Sequence, residues 1–227
     1  MRAYMKQVLH LCAILDYSRG MDFVHPVESV IPGAQGRILG VLARTTAELN
    51  LRTVARLARV SVAQASRVLP RLVELGIVER REAPPSTLFL LARGNRVAEG
   101  IVALADLRSL LLEDLRTAAR LIRPRPASLT LFGSMARGEA RAGSDMDVLV
   151  VRPKRVGAEH SGWEESVRRW VECAEVSSGN HVSLIEVSED EVSGLLSAGS
   201  GVWSAAAREG VVLAGRPLPD VGVASVA

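Results

Sequence analysis

Two aspartates in the second half of the chain are the residues whose type and spacing best suit them to chemistry. Asp145 and Asp147 are separated by one residue, so on a β-strand both side chains project from one face while Met146 points away. Two adjacent carboxylates repel each other unless a cation lies between them. Mg²⁺ is commonly held by one or two carboxylates together with substrate phosphates. The pair therefore predicts a site for Mg²⁺, or for Mn²⁺ in its place.

A glycine–serine pair precedes these aspartates. Gly133-Ser134 follows an apolar run and opens a short helical run, and ten residues separate Ser134 from Asp145. Glycine allows the backbone to approach a ligand closely, and the N–H groups at the start of a helix attract phosphate. Together with the aspartates, this pair predicts a site for a metal-bound triphosphate. The alternative is a plain acidic loop beside two core strands, with Ser144 as a cap.

Short apolar runs on both sides of this stretch predict the strands that position it. Leu129–Phe132 lies before Gly133, and Val148–Val151 lies after Asp147. Further patterns predict the strands His181–Val187 and Val211–Ala214 and the helices Trp163–Val176, Glu189–Leu196 and Val202–Glu209. The tryptophans of this region are expected in the core rather than stacked on a base: Trp163, Trp170 and Trp203.

The spacing of Gly133-Ser134, ten residues and Asp145-x-Asp147 resembles the signature of the nucleotidyltransferase superfamily of DNA polymerase β type. Within it, the chain is most similar to the small minimal nucleotidyltransferases. The resemblance implies an NTP substrate, with ATP as the expected nucleotide, and Asp145 and Asp147 as catalytic metal ligands. The residues expected to contact the nucleotide are Gly133, Ser134, Arg137 and Ser144. For Arg137, a solvent-facing position on the helix is the alternative.

One feature of that family is replaced here. Active members usually carry a third carboxylate on the next strand, and by register that position falls on Ser183. Glu186 is an odd number of positions away, so it is expected on the other face of the sheet unless a bulge turns it round. Serine is neither an anionic metal ligand nor a general base, and general-base catalysis is worth roughly 10²–10⁴-fold in rate. Nucleotide binding is therefore expected to survive this replacement better than turnover does.

Composition and charge indicate two domains with different partners. The chain has 227 residues, of which 48% are hydrophobic, and a net charge of +3. Between Gly36 and Asn95 there are ten Arg and four Glu, a net +6, so the remainder totals −3. Only the basic region is expected to meet a polyanion. Cys12 and Cys173 suggest no disulfide framework, and no apolar run reaches the length of a membrane span, so a cytoplasmic protein is expected.

The basic region has the order of a winged helix-turn-helix. Its patterns predict the helices Gly36–Leu49, Thr53–Ala58 and Val62–Leu75 and the strands Ile77–Arg81 and Thr87–Leu91. Ser61 is a suitable N-cap for the third helix, and Gly76 a suitable end. The stretch around the third helix resembles the helix-turn-helix of bacterial winged-helix regulators.

That resemblance implies binding to double-stranded DNA. Gln64, Ser66 and Arg67 at the start of the recognition helix are expected to meet bases, and Arg80 and Arg81 on the wing to meet phosphates. The alternative is a module used only for dimerisation. The expected core residues of this helix are Val68, Leu69, Leu72 and Leu75. Pro70 predicts a kink, or a break near Leu69.

A long helical pattern joins the two domains. Apolar residues recur at three- to four-residue steps from Asn95 to Ile122, which predicts one connecting helix whose stripe packs on a second copy. The stripe comprises Val97, Ile101, Leu104, Leu107 and Leu111. The predicted organisation is thus α+β: an uncertain extension 1–20, a winged helix 21–94, a connecting and dimerisation helix 95–123, a nucleotidyltransferase domain 124–218 with a mixed sheet, and a flexible tail 219–227. Residues 1–20 are either absent from the natural translation product or an arm on a partner subunit.

Three functions follow from this organisation. The first is a DNA-binding protein that transfers NMP from an NTP to a protein, a tRNA or a small molecule. The second is a transcription regulator whose nucleotidyltransferase fold only senses a nucleotide, and Ser183 favours this one. The third, a weaker one, is half of a toxin–antitoxin pair acting with a protein partner. A homodimer is expected in each case.

Overall fold

The computed structural model describes residues 20–157, 159–199 and 201–221, and these form two compact units. One unit is His25–Leu107. The other combines residues 20–24 with the chain from Arg108 onwards. The first unit is helical with a small sheet, and the second has a mixed sheet flanked by helices, which confirms the predicted α+β class. The exact domain boundaries stay predictions.

The first unit surrounds one apolar core. Its helices are α1 (Pro26–Val30), α2 (Gly33–Ala43), α3 (Leu51–Leu57), α4 (Val62–Glu74) and α5 (Arg96–Ala105), and its strands are β1 (Leu49–Asn50), β2 (Val78–Ala83) and β3 (Ser86–Leu91). The strands pair antiparallel in the order β1-β3-β2. Ile38, Leu42, Val54 and Leu69 have no exposed surface in this core. Three helices and a hairpin in this order give the predicted winged helix.

The helix predicted to read DNA, α4, begins where its cap predicts. The Ser61 hydroxyl accepts from the Gln64 backbone N–H at 3.1 Å, and the Gln64 side chain accepts from the Ser61 N–H at 2.9 Å, which completes a capping box. The predicted break near Leu69 is wrong, because α4 continues through Pro70 to Glu74. Pro70 lies on the exposed side, so water can reach the carbonyl that its ring leaves unbonded.

Two other details of this unit differ from the sequence prediction. Leu75 is 62% exposed and does not belong to the core, because it lies one residue beyond the last helical turn. The helix predicted over Gly36–Leu49 ends at Ala43, and Leu49 instead pairs with Phe89 of β3. The Thr45 hydroxyl accepts from the Ala47 N–H at 3.0 Å, a local hydrogen bond that competes with helix continuation.

The second unit is built on a four-stranded mixed sheet. Its strands are β4 (Ser128–Phe132), β5 (Met146–Arg152), β6 (Val182–Ser188) and β7 (Val211–Gly215), in the spatial order β6-β5-β4-β7. β4 runs antiparallel to both β5 and β7, while β5 and β6 are parallel. Its helices are α6 (Leu107–Ala119), α7 (Gly133–Arg137), α8 (Ser161–Ser178), α9 (Val192–Ser197), α10 (Gly201–Glu209) and α11 (Leu218–Val221).

The two faces of this sheet are covered by different helices. Leu149 and Val151 pack with residues of α9, α10 and α11. On the opposite face, Trp163 of α8 reaches Glu186, and Trp170 of the same helix donates to the Leu115 carbonyl of α6 at 3.2 Å. All three tryptophans are buried, so their predicted place in the core is confirmed.

The predicted connecting helix is divided in two. α5 ends at Ala105, the φ of −102° and ψ of 19° at its C-cap Asp106 leave the helical region, and α6 begins at Leu107. Ile101 is buried in the first unit and Leu111 in the second. The stripe predicted for dimerisation is therefore largely used inside each unit, while Val97 remains 56% exposed. A homodimer stays a prediction, without the support of this stripe.

The ends of the described chain complete the fold. Leu218 and Val221 of α11 are buried, so the tail predicted to fray from residue 219 is packed as far as 221. Residues 1–19 and 222–227 lie outside the described residues, and so does most of the predicted extension. No helix in the described part of the chain is long and apolar enough to cross a membrane.

Candidate functional site

Asp145 and Asp147 flank the first residue of β5. Met146 is fully buried, Asp147 is half-buried, and Asp145 is exposed in the loop just before the strand. Burial raises the pKa of Asp147, the charge of Asp145 raises it further, and the charge of Arg137 opposes both. The predicted alternation of Asp145 and Asp147 on one side and Met146 on the other is present, and the two carboxylates interact electrostatically.

The chemistry of this pair fits a hard divalent cation. Each carboxylate disfavours the ionised form of the other, and a cation bound between them stabilises both ionised forms. Mg²⁺ prefers oxygen ligands of this kind. Within the described ranges, no group of three or more His, Cys, Asp or Glu residues is arranged to hold a metal. The protein would therefore supply two carboxylates and leave the remaining positions to water or phosphate oxygens. Asp145 and Asp147 as ligands stay a prediction.

Gly133 lies directly against the Asp147 carboxylate. Phe132 of β4 pairs with Asp147 of β5. Gly133 follows Phe132 in the chain and therefore lies beside the Asp147 carboxylate. Its φ is +69°, and a Cβ there would lie 2.3 Å from Asp147 Oδ2, so the Asp147 carboxylate would have to move to make room for it. α7 starts here with no side-chain cap on its first N–H groups, and Ser134 is half-buried beside it. Glycine is suited to this position because it adopts a positive φ without strain and has no Cβ to meet Asp147.

Arg137 and Ser144 also lie around this pair, but each has a partner in the protein. Arg137 Nε donates to Glu139 at 2.8 Å and Nη1 donates to Glu209 at 2.7 Å, and these bonds raise the pKa of Arg137. The Ser144 hydroxyl accepts from the Arg141 N–H at 3.0 Å, so it holds the turn before Asp145. Their contacts with a nucleotide stay predictions.

The third strand places Ser183 beside Asp147. β5 and β6 pair in continuous parallel register from Met146↔Val182 to Arg152↔Ser188, with Asp147 opposite Ser183. Ile185 and Val187, on the same face of β6 as Ser183, pack against the core under α9 and α10. The register predicted from the sequence is therefore confirmed, while the equivalence of Ser183 to the family's third carboxylate stays a prediction.

Glu186 lies on the other face of the sheet. It pairs in register with Val150, and its Oε1 accepts from Arg152 Nε at 3.0 Å and from Trp163 Nε1 at 2.9 Å. No register shift interrupts β5 and β6, so the alternative in which a bulge turns Glu186 into the site is wrong. This carboxylate serves the packing of α8 on the sheet.

Asn180 is a buried polar residue beside the site that the sequence did not predict. It is 2% exposed, and its Nδ2 donates to the Ser144 carbonyl at 2.7 Å. Its Oδ1 accepts from the Met21 N–H at 3.1 Å. Asparagine is common in turns, so the sequence signal did not separate this long-range role from a local one.

The predicted base-contacting residues lie on the exposed N-terminal half of α4. Gln64 uses its amide oxygen in the capping box. The Ser66 hydroxyl and Arg67 Nε both donate to the Ala63 carbonyl, at 3.0 and 3.2 Å. These side chains are exposed and lie along the helix surface. Their contacts with bases stay predictions.

The two arginines predicted on the wing differ in their surroundings. Arg80 pairs with Glu82 at 2.5 Å and lines a cavity of about 670 Å³ between α3, α4 and the hairpin, together with Arg52. Arg81 makes a two-point ion pair with Glu48, which lowers the pKa of Glu48. Arg52 was missed by the sequence reasoning, since its approach to Arg80 depends on the fold.

Comparisons with known proteins agree with both halves of this description. A family model described as a nucleotidyltransferase domain matches residues 112–194, which include Gly133, both aspartates and Ser183. A family model described as the MarR family matches residues 31–86, which include α4 and Arg80. No curated protein and no solved structure matches the chain.

Proposed function

Because the chain joins a MarR-like DNA-binding domain of winged-helix type to a nucleotidyltransferase domain, we propose that it binds an NTP with Mg²⁺ or Mn²⁺ and also binds double-stranded DNA. Asp145 and Asp147 hold the metal, and Gly133 and Ser134 hold the phosphates. ATP is the proposed nucleotide and the cytoplasm the proposed location.

The close approach of Gly133 to Asp147 carries this proposal. It brings the backbone at the start of α7 next to the Asp147 carboxylate, which a Cβ at position 133 would displace. Backbone N–H groups and an acidic pair are thereby adjacent, and they suit opposite ends of a metal–phosphate complex. A purely structural acidic loop needs no such contact.

If the site is active, the reaction is transfer of NMP. An acceptor hydroxyl attacks the α-phosphorus, the bond from that phosphorus to the bridging oxygen breaks, and pyrophosphate leaves. A bound metal supplies charge neutralisation and in-line orientation. The chain's own residues position the phosphates, but Ser183 does not remove the hydroxyl proton at neutral pH, so transfer is slow. The proposed acceptors are a protein, a tRNA or a small molecule.

A nucleotide sensor that regulates DNA binding is the second candidate, and the register of Ser183 favours it. The site keeps the carboxylates suited to binding, while the position opposite Asp147 holds no base. NTP binding would then shift the affinity for DNA, and DNA would shift the affinity for NTP by the same factor. In this case the nucleotide is released unchanged.

Incubation of the intact chain with each labelled NTP and Mg²⁺ or Mn²⁺ separates the two candidates. Label on the protein itself, on co-purified RNA or on a co-purified protein supports transfer. Saturable binding without label transfer supports the sensor. The matched control is the double variant Asp145→Asn with Asp147→Asn, and equal NTP affinity in the wild type and this control would refute the metal site.

A further inference from the structure

A short segment at the start of the described chain packs beside the candidate site. This leading segment, Gly20–Val24, belongs to the same compact unit as the aspartates, although the winged helix follows it directly in the chain. Phe23 is 5% exposed, and its N–H donates to the Ala140 carbonyl at 3.0 Å. The segment is therefore anchored to the loop that precedes Asp145.

Gly20 shows how closely the leading segment approaches this loop. A Cβ at Gly20 would lie 2.6 Å from Asn180 Nδ2 and 3.1 Å from the Gly143 backbone nitrogen. The segment thus touches the loop Ala140–Ser144 near both of its ends, at Ala140 through Phe23 and at Gly143 through Gly20. No side chain other than hydrogen fits at position 20 without displacing one of these neighbours.

Asn180 joins the two sides of this contact. Its amide nitrogen donates to the carbonyl of Ser144, the residue that precedes Asp145, and its amide oxygen accepts from the Met21 N–H. The Asn180 N–H donates to the Ser178 hydroxyl at 3.1 Å, which holds its backbone at the end of α8. A buried amide satisfied on both sides fixes the position of each partner.

We propose that Asn180 is a positioning residue that couples the metal carboxylates to the leading segment, so that binding of a metal–nucleotide complex and the mobility of the chain entering the winged helix change together. This inference rests on the proposed function of Asp145 and Asp147. A metal that fixes Asp145 also fixes the Ser144 carbonyl. Through Asn180 it then restrains Met21, four residues before His25, where the winged-helix unit begins.

The amide hydrogens of Met21 and Phe23 report on this coupling directly. Both are donated within the leading segment's contacts, so their exchange with solvent requires those contacts to open. Coupling is reciprocal: Mn²⁺–ATP slows exchange at both amides, and loosening the segment weakens Mn²⁺–ATP binding. A residue that only stabilises the fold would not link exchange at Met21 to occupancy of the site.

The test measures Mn²⁺–ATP affinity by calorimetry and amide exchange by NMR on the full chain. Asn180→Asp keeps an oxygen for the Met21 N–H but faces the Ser144 carbonyl with a second oxygen. It is expected to weaken binding roughly 3- to 10-fold, the size of one hydrogen bond, and to remove the exchange response. Gly20→Val disturbs the same contact from the other side and leaves Asn180 in place. Gly157→Val is the control, because a Cβ there meets nothing within 4 Å.

A wild-type response at Met21 and Phe23 that both variants lose, and the control keeps, supports the coupling. Tight wild-type binding with unchanged exchange at those amides overturns the coupling and leaves the proposed function standing. Absence of wild-type Mn²⁺–ATP binding overturns both. If Asn180→Asp does not fold, Gly20→Val carries the same comparison.

Discussion

Asp147 and Ser183 occupy paired positions on adjacent parallel strands and belong to the same face of the sheet. In-register residues of a parallel pair project side by side, so a carboxylate at position 183 would share whatever cation Asp147 holds. The hydroxyl present there is neutral. Ser183 therefore adds no charge beside the carboxylate of Asp147.

Restoring that carboxylate is the most direct test of the site. Ser183→Asp is expected to tighten Mn²⁺ binding and to raise NMP transfer by up to ~10²-fold, the low end for general-base help. The rate is followed as labelled product in the presence of an acceptor. Unchanged Mn²⁺ affinity in this variant would contradict the assigned register.

Glu186→Gln is the matched control on the opposite face of the same strand. It leaves the site's charge intact and weakens the bonds from Arg152 and Trp163. We expect a small loss of thermal stability and no change in Mn²⁺ affinity. A Glu186→Gln variant that loses metal binding would show that this carboxylate serves the site after all.

The raised pKa of Asp147 has a consequence for stability. Because its pKa is higher in the folded than in the unfolded chain, ionised Asp147 destabilises the fold at neutral pH, and this cost vanishes as the pH falls through the folded pKa. Asp147→Asn should therefore raise the metal-free Tm at pH 7. The difference in Tm between this variant and the wild type should be smaller at acidic pH. Added Mg²⁺ should raise the Tm of the wild type and not that of the variant.

Replacing Gly133 tests the close approach that shapes the site. Gly133→Ala introduces left-handed strain worth about 1–3 kcal/mol and also pushes a Cβ against Asp147 Oδ2. Nucleotide binding is expected to be lost. Gly33→Ala carries comparable strain at a φ of +81° with nothing within 4 Å, so it separates the two effects. Equal Mn²⁺–ATP affinity in Gly133→Ala and wild type would contradict the proposed phosphate site at Gly133 and Ser134.

The arginines of the winged helix should differ in their effect on DNA binding. Arg80→Ala is expected to weaken binding to all sequences and to reduce the salt slope by about 1, as loss of one phosphate contact does. Arg81→Ala should do less, since Glu48 holds Arg81 at two points whereas Glu82 holds Arg80 at only one. Arg67→Ala should relax sequence preference instead. Fluorescence titrations over a range of salt concentrations measure all three effects. If the wild type shows no salt-dependent affinity for any duplex, the domain serves only in assembly.

The apolar stripe of α5 and α6 gives a test of assembly. Leu111→Glu buries a charge in the second unit and should lower the Tm on the order of 10 °C. Val97→Glu changes an exposed position of the same stripe and should leave the Tm unchanged. Light scattering on Val97→Glu then shows whether the exposed remainder of the stripe joins two copies. A dimeric wild type that Val97→Glu converts to a monomer would restore the predicted interface.

The sequence was most informative where a pattern is local. The two-residue period of β5 and β6 predicted the faces of Asp147, Ser183 and Glu186, and Ser61 as N-cap predicted the start of α4. These features depend on residues within one element or on simple register, so no knowledge of distant partners was needed.

Long-range partners explain most of what the sequence did not predict. The helical pattern from Asn95 to Ile122 is continuous, yet the chain leaves the helix at Asp106 because its apolar residues serve two separate cores. The pairing of Arg81 with Glu48 spans 33 residues, and the bond from Met21 to Asn180 spans 159. Hydrophobic periodicity carries no information about such contacts.

The winged helix is an insertion within the chain of the nucleotidyltransferase unit, because residues 20–24 and residues from 108 onwards belong to one body. Cutting the chain between the units would thus remove Phe23 from the nucleotidyltransferase unit, and a fragment begun at residue 124 would also lack Leu115 and the carbonyl that Trp170 needs. The unit can be isolated only by excision of His25–Leu107 with a linker from Val24 to Arg108. Activity lost in a simple truncation would therefore report on lost packing contacts of Phe23 and Leu115 rather than on the absence of DNA binding.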